Sequence, residues 1–396
     1  MFKKASLWLH KWLGLFTGLV IFVVSFTGAI YTFHDELKLL VYPEKYFVET
    51  TSKVERLPLS ILIQHAQDAL PKGERISRVD LYPSNGRSWV FRASETNEGA
   101  FGHWNYFRYY KRVFVNPYTG ECVAVEDSKN EFFQLVLQLH MNLLLGKTYG
   151  HAVVAYSTLV FTFLLFTGMI LWWPKKWKGK TLKRSIWLNR KTKWKRFNYD
   201  LHNVWGFYTF PIAFVLCITG LLFSFPNWKQ SYSRFIDQIT FFQKDQTPVQ
   251  ELAQNVINRY DQPIDNLLAY VLERHPNAGM MSIRLRGIDA PLVDVQVRLQ
   301  EDRSGLFRWY YMKTSDLNMN EIRSNQGLSN GELMAALNFD LHTGSIGGMG
   351  TKILVFLISL GCASLPITGY ILWWNKRKPK GIRKKRSNRH SSLATM

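Results

Sequence analysis

Thr167-Gly168-Met169-Ile170-Leu171-Trp172-Trp173 closes one long apolar stretch, and Thr368-Gly369-Tyr370-Ile371-Leu372-Trp373-Trp374 closes another; they agree at six of seven positions. Working outward, each stretch is preceded by a Leu-His pair, Leu139-His140 and Leu341-His342, at spacings that differ by one residue. The two other apolar stretches share a second pattern. Leu9-His10-Lys11-Trp12-Leu13-Gly14 leads to Thr27-Gly28, and Leu201-His202-Asn203-Val204-Trp205-Gly206 leads to Thr219-Gly220, with 17 residues from His to Thr in both. The order is span, long loop, span, twice over. It reads as an internal duplication, with two halves packed about a pseudo-twofold axis normal to a membrane.

The four stretches cover roughly 12–33, 151–173, 201–225 and 353–374, each near the ~20 residues of a bilayer crossing. The first has no small-residue cleavage site and is too long for a signal-peptide core, so it is expected to be retained. The chain has 396 residues with 50 Lys and Arg against 29 Asp and Glu, a net charge of +21. That balance alone suggests nucleic acid, but its distribution does not. Eleven basic residues lie between Pro174 and Phe197, nine follow Trp374, and Lys3, Lys4 and Lys11 precede or open the first span. All flank membrane segments, as the positive-inside rule requires. The expected partner is therefore the lipid bilayer and not nucleic acid. Both termini and the 174–199 loop are expected in the cytoplasm, and loops 36–135 and 227–338 outside it. Three Cys exclude a disulfide scaffold and a zinc finger.

The expected fold class is an α-helical membrane bundle of four transmembrane helices with two extracytoplasmic α+β domains. The divisions are 1–35 (first transmembrane helix), 36–135 (first outside domain), 136–174 (interfacial segment and second helix) and 175–199 (basic cytoplasmic loop). Then come 200–226 (third helix), 227–338 (second outside domain), 339–375 (interfacial segment and fourth helix) and 376–396 (basic cytoplasmic tail). In the first loop, helical spacing covers 57–69 and strand patterns cover 75–81, 88–93, 112–115 and 121–125, with a turn at Asn116-Pro117-Tyr118-Thr119-Gly120. In the second, 249–260 and 265–274 read as helices, and 280–285, 293–299 and 307–312 as strands. Neither loop carries a nucleophile with a paired base, or metal-ligand spacing.

The repeat pairs the histidines by depth. His10 and His202 lie at the cytoplasmic ends of the first and third spans, and His140 and His342 precede the second and fourth on the outside. A pseudo-twofold axis brings each pair face to face, the arrangement that holds a haem iron through both axial positions in a helical bundle; the plainer reading is that these histidines sit at the interface, capping helices or hydrogen-bonding headgroups. A straight helix from His140 to Trp173 is ~50 Å, longer than the ~30 Å hydrocarbon core. Gly146 and Gly150 are expected to break it, and Gly344, Gly347, Gly348 and Gly350 to do the same before the fourth span. His34 and His151 lie near the outer end of the hydrocarbon and are weaker ligand candidates without repeat counterparts. His65, His103, His275 and His390 read as ordinary surface residues. Gly14, Gly18 and Gly28 permit close approach of helices, and the Trp pairs are interfacial anchors.

Leu-His…Gly…Thr-Gly at the span starts, Thr-Gly-x-Ile-Leu-Trp-Trp at the ends and Asn-Pro-Tyr-Thr-Gly outside resemble the PepSY-associated transmembrane family, from about Lys4 to Lys378. The resemblance implies PepSY-like periplasmic domains and a bacterial inner-membrane location. It further implies a ferric-siderophore reductase with two haem b groups, on His10 with His202 and on His140 with His342. Electrons then pass from the cytoplasmic side to a periplasmic ferric siderophore, releasing Fe(II). No nicotinamide fingerprint is present, so the donor is expected to be a separate cytoplasmic reductase or a quinol. The second outside domain has Lys313-Thr314-Ser315-Asp316 where the first has Asn116-Pro117-Tyr118-Thr119, a weaker match. Trp104, Tyr106, Arg108, Tyr109 and Tyr110 are candidate chelate contacts, with packing the simpler account of them. The alternatives are quinol-linked reduction of another periplasmic acceptor, and a non-enzymatic PepSY scaffold or regulator.

Overall fold

A computed structural model describes residues 1–49, 55–240, 259–285, 292–301, 303–313, 319–325 and 328–377. The helix expected at 249–260 falls almost entirely outside these residues, as does His390. Four helices are long and apolar enough to cross a membrane: Phe2–Tyr31, Lys147–Trp172, Trp194–Ser224 and Met349–Arg377. These are the first to fourth spans of a multi-pass membrane protein. The first and third spans each pack against the second and fourth. Outward side chains such as Phe16, Leu19, Phe163 and Phe166 are apolar and exposed, which suits contact with lipid rather than water. Where the first and fourth spans meet, a Cβ on Gly18 would sit 3.2 Å from Tyr370 and 3.3 Å from Pro366. The missing side chain is what lets the two helices close.

Two short helices tuck under the bundle's far end. Helix Phe132–Asn142 carries His140 and helix Asn338–Thr343 carries His342. The first ends in a left-handed turn through Leu143 and Leu144 (φ 55° and 59°), with Gly146 at φ 84°. Gly150, expected to break the chain, is helical instead; a Cβ there would lie 1.8 Å from the Asn142 carbonyl oxygen. It is needed for close packing, not for a bend. Before the fourth span the breaks fall at Gly344 and Gly348, while Gly350 is helical.

The two long loops build one sheet, not two. Strands β1 (Ile76–Leu81), β2 (Trp89–Thr96), β3 (Phe107–Val115) and β4 (Cys122–Asp127) come from the first loop. Strands β5 (Met280–Arg284), β6 (Leu292–Gln300), β7 (Arg303–Lys313) and β8 (Met319–Ser324) come from the second. The order is β4-β3-β2-β1-β5-β6-β7-β8, antiparallel throughout. β1 and β5 would each be an edge if the loops folded apart, and pairing Val79 with Ile283 and Leu81 with Met281 removes both edges. The strands expected in the first loop are found to within a few residues, and β8 is an addition.

Alternation gives the sheet two unlike faces. Val79, Phe91, Val113, Ile283, Val295 and Met312 share one core with Leu59 and Leu62 of helix Leu59–Asp68 and Leu267 and Val271 of helix Pro263–Arg274. Each fully buried Leu, Val or Phe contributes about 1.5–3 kcal/mol. Asp265 ties the loops together by accepting from the Ser60 amide (2.9 Å) and hydroxyl (2.5 Å). The opposite face carries Arg78, Asp80, Arg92, Arg112, Ser282 and Arg298. Helices His34–Val41 and Pro43–Tyr46 lead from the first span onto it, where Leu39, Tyr42 and Tyr46 pack with Tyr82, Val90, Phe114 and Met280. The polar face of the sheet thus looks toward the bundle.

Candidate functional site

The bundle brings the four repeat histidines into two facing pairs. His10 and His202 have ring centroids 6.2 Å apart at the basic end, with planes at 85°. His140 and His342 are 6.0 Å apart at the sheet end, with planes at 60°. Along the first span, His10 and Gly28, which touches His140, are 18 residues apart, ~27 Å of helix. The pairs therefore stand near opposite ends of the bundle.

Each imidazole is fixed by its own half of the chain. His10 Nδ1 meets Thr167 Oγ1 at 2.9 Å, His202 Nδ1 meets Thr368 Oγ1 at 2.8 Å, and His342 Nδ1 meets Thr219 Oγ1 at 2.8 Å. Those hydroxyls each have one proton. Thr167 donates it to Leu164 O (3.1 Å), Thr219 to Val215 O (2.8 Å) and Thr368 to Ser364 O (3.0 Å). Each hydroxyl oxygen is left to accept, so Nδ1–H is the donor. For His140 the partner is the Val24 carbonyl at 2.9 Å, which only accepts. All four rings are thereby set with the proton on Nδ1 and a lone pair on Nε2, and among the described residues none of these Nε2 atoms makes a hydrogen bond.

The glycine after each threonine makes room for the ring. A Cβ would lie 3.0 Å from His140 Cε1 at Gly28, 3.2 Å from His10 at Gly168, 3.4 Å from His342 at Gly220 and 3.5 Å from His202 at Gly369. The Thr-Gly motif was legible as a repeat, but its role across helices was not. A direct N–H···N bond of about 2.9 Å, with ring radii of ~1.1 Å, places centroids ~5 Å apart. One metal atom with two bonds of about 2 Å places them ~6.2 Å apart. The observed 6.0 and 6.2 Å are too long for a direct N–H···N bond; they match the second case and also lie within the 4.5–7 Å of ordinary ring contacts. Among the described residues no group of three or more His, Cys, Asp and Glu could hold a metal ion, so a metal between these pairs has to bring its remaining ligands with it. A haem would do so.

The weaker candidates are not brought into pairs. His34 stacks on Tyr31 at 3.9 Å, with Nδ1 on the Tyr31 carbonyl (3.0 Å) and Nε2 on Asp35 (2.9 Å), so both nitrogens are engaged. His151, half-buried at the start of the second span, faces no other histidine among the described residues. His65 and His275 bind Gly120 O and the Tyr310 hydroxyl. His103, expected at the surface, is instead 1 % exposed and held by Lys129 O at 2.7 Å. Tyr106 and Tyr110 are buried with Phe107. Trp104 is exposed on Asn130, Arg108 pairs with Glu95, and the Tyr109 hydroxyl accepts from the Arg75 amide. These five residues do not form a common surface.

None of the curated proteins matches this chain. The family described as PepSY-associated TM region matches residues 7–376. That match runs from just before the first paired histidine to the end of the fourth span, and the chain belongs to the PepSY-associated transmembrane family.

Proposed function

We propose that the protein is an inner-membrane reductase that holds two b-type haems, one between His10 and His202 and one between His140 and His342. It passes electrons from the cytoplasm to a periplasmic ferric siderophore. The observation that carries this reading is the facing of two imidazole pairs at 6.0 and 6.2 Å, each ring with Nδ1 as donor. Bound there, haem supplies a one-electron carrier whose potential follows axial ligand, burial and hydrogen bonding. The protein's own part is positional. Thr167, Thr219, Thr368 and the Val24 carbonyl orient the rings, and an acceptor on Nδ1–H raises the basicity of Nε2. The apolar spans keep water from the path between the two pairs.

The acceptor reading rests on the chemistry of iron release. Siderophores grip Fe(III) through hard oxygen donors, and one added electron weakens that grip. In this reading the chain is a duplication with pseudo-twofold symmetry, both termini and the basic loop lie in the cytoplasm and the sheet lies in the periplasm, so one histidine pair is near each membrane face. The donor is a separate cytoplasmic reductase or a quinol. The test is a reduced-minus-oxidised visible spectrum of the detergent-purified protein, with haem quantified per chain and ferric siderophores added to the reduced sample. Two haems per chain and reoxidation by a ferric siderophore are expected. A colourless protein would refute the reading.

A further inference from the structure

We infer that helix Pro226–Ile239 lies in the headgroup layer of the leaflet on the sheet side of the bundle, with one face in phospholipid and another clamped to the segment that leads to His342. The helix follows the third span after a single residue. Phe225 leaves helical geometry (φ −124°, ψ 82°), and Pro226 stands in the first turn of the new helix. Proline there gives up no hydrogen bond, and the chain is free to turn before it.

At 3.6 residues per turn the helix divides into three stripes. Ser233 and Asp237 form the first, which is packed. Asp237 accepts from the Ser329 hydroxyl and the Gly331 amide, both at 2.8 Å. A Cβ on Gly331 would fall 2.0 Å from the Ser233 carbonyl oxygen, so helix Asn330–Ala336 presses against this stripe with no room for a side chain. Trp228, Phe235 and Ile239 form the second, within about 40° of one another, and they are 45 %, 57 % and 54 % exposed. Asn227, Gln230, Arg234 and Gln238 form the third and are exposed as well. Scattered apolar residues are ordinary on a wetted surface. Here the open part of the helix is sorted into an apolar stripe and a polar one, which is the pattern of a helix lying in a membrane interface.

The apolar stripe also continues a surface that already faces lipid. Tyr156, Phe163 and Phe166 share one outward side of the second span and are exposed. The Phe225 ring packs against Tyr156 with centroids 6.1 Å apart, and Trp228 stacks on Phe225 at 4.5 Å. The aromatic row thus runs unbroken from a membrane-spanning helix onto this one. Trp is suited to that level, with an apolar ring for the acyl boundary and an N–H for the headgroups. Exposed Lys229 and Arg234 have stems long enough to reach the phosphates. On the packed side, helix Asn330–Ala336 leads through Leu337 into helix Asn338–Thr343, which carries His342 and donates from Asn338 to the Thr219 carbonyl (3.1 Å). Contact with lipid therefore steadies the segment that sets one member of the sheet-end histidine pair.

The experiment uses the full chain in nanodiscs of phosphatidylcholine and phosphatidylglycerol. Single spin labels are placed through Phe235→Cys, Ile239→Cys, Gln230→Cys and Arg234→Cys in a Cys122→Ser background, with the buried Cys217 and Cys362 retained. Power saturation reads collisions with oxygen, which concentrates in lipid, and with a neutral nickel chelate, which stays in water. The oxygen-to-nickel ratio should be several-fold higher at 235 and 239 than at 230 and 234. Equal ratios at all four positions overturn the proposal, because the face then meets water. Exclusion of both reagents from 235 and 239 also overturns it, because protein then covers the face, and dipolar broadening at full labelling would identify that protein as a second copy. Trp228→Phe gives a reading without labels. Lipids brominated near the headgroup should quench wild-type fluorescence more than that of the variant, and equal quenching counts against the proposal. Neither measurement requires haem.

Discussion

Gly28→Ala is the smallest change that tests how the sheet-end histidine is held. The new methyl lies 3.0 Å from His140 Cε1 and 3.1 Å from Nδ1. Carbon atoms pack at about 3.5–4.0 Å, so the imidazole has to retreat by about 0.5–1 Å. Its Nδ1 is 2.9 Å from Val24 O, and that retreat passes the ~3.2 Å limit of a good hydrogen bond. The lost bond costs about 1 kcal/mol, and the off-rotamer ring adds about 0.5–1.5 kcal/mol. A total near 2 kcal/mol is roughly a 30-fold loss of haem affinity at that site. The first span itself is not endangered, since Gly to Ala favours a helix by about 1 kcal/mol. The same substitution at Gly168, Gly220 and Gly369 meets its histidine at 3.2, 3.4 and 3.5 Å, and at Gly14 meets only Leu164 at 3.9 Å. Haem per chain and the rate of haem transfer to apomyoglobin should therefore rank Gly28→Ala as the most damaging, then Gly168→Ala, with Gly14→Ala near wild type. If Gly28→Ala, properly folded, keeps haem as firmly as Gly14→Ala, the account of how these rings are positioned is wrong.

His202→Ala should lower haem content from two to one per chain, and unchanged content would remove it as a ligand. Thr219→Val takes the acceptor from His342 Nδ1–H; haem should be retained but its midpoint potential should rise as the ligand becomes less basic, and an unmoved potential in a redox titration would contradict the tautomer assignment. At Asp80, burial alone raises the carboxyl, but Arg92, Arg78 and the Ser282 hydroxyl outweigh it and leave the group below the ordinary range. The stability it contributes is complete above ~3.9 and is lost as pH falls through the lower folded value. Asp80→Asn should thus cost about 3–5 kcal/mol near neutrality and flatten acid unfolding below pH ~4; equal melting temperatures for variant and wild type at pH 7 would contradict this. Lysines of the 174–197 loop should resist an impermeant amine label added to the outside of intact cells, and labelling there would overturn the orientation.

What could be read in advance follows from how each feature is encoded. Spans and paired histidines were legible because a helix converts spacing into depth: equal His-to-Thr intervals put His10 and His202 level, and intervals that differ by one residue do nearly the same for His140 and His342. The partner of each ring lies on another helix, which spacing along one chain does not report. The repeated Thr-Gly carried that information only as an unexplained recurrence. The sheet divides the same way. Alternation in 75–81 and 280–285 announced two strands, but edge pairing between β1 and β5 leaves no periodic mark, since backbone groups make the ladder. Val79, Leu81, Met281 and Ile283 show only that both strands have an apolar side.

The same limit hid what the polar face of the sheet meets. Arg78, Arg92, Arg112 and Arg298 alternate with core residues just as solvated side chains do on a one-sided sheet. Nothing in the chain says whether that polar face meets water or protein. The structure answers through Tyr31 at the end of the first span and Lys38 and Tyr46 beyond it, which lie at that face. Once the face is closed over by the bundle, an ordinary pattern of surface arginines becomes a set of enclosed ion pairs with Asp80 and Glu126. That network lies beyond Tyr31, three residues from the Gly28 that touches His140, so the end of the first span and the helix after it join the polar face of the sheet to the sheet-end histidines.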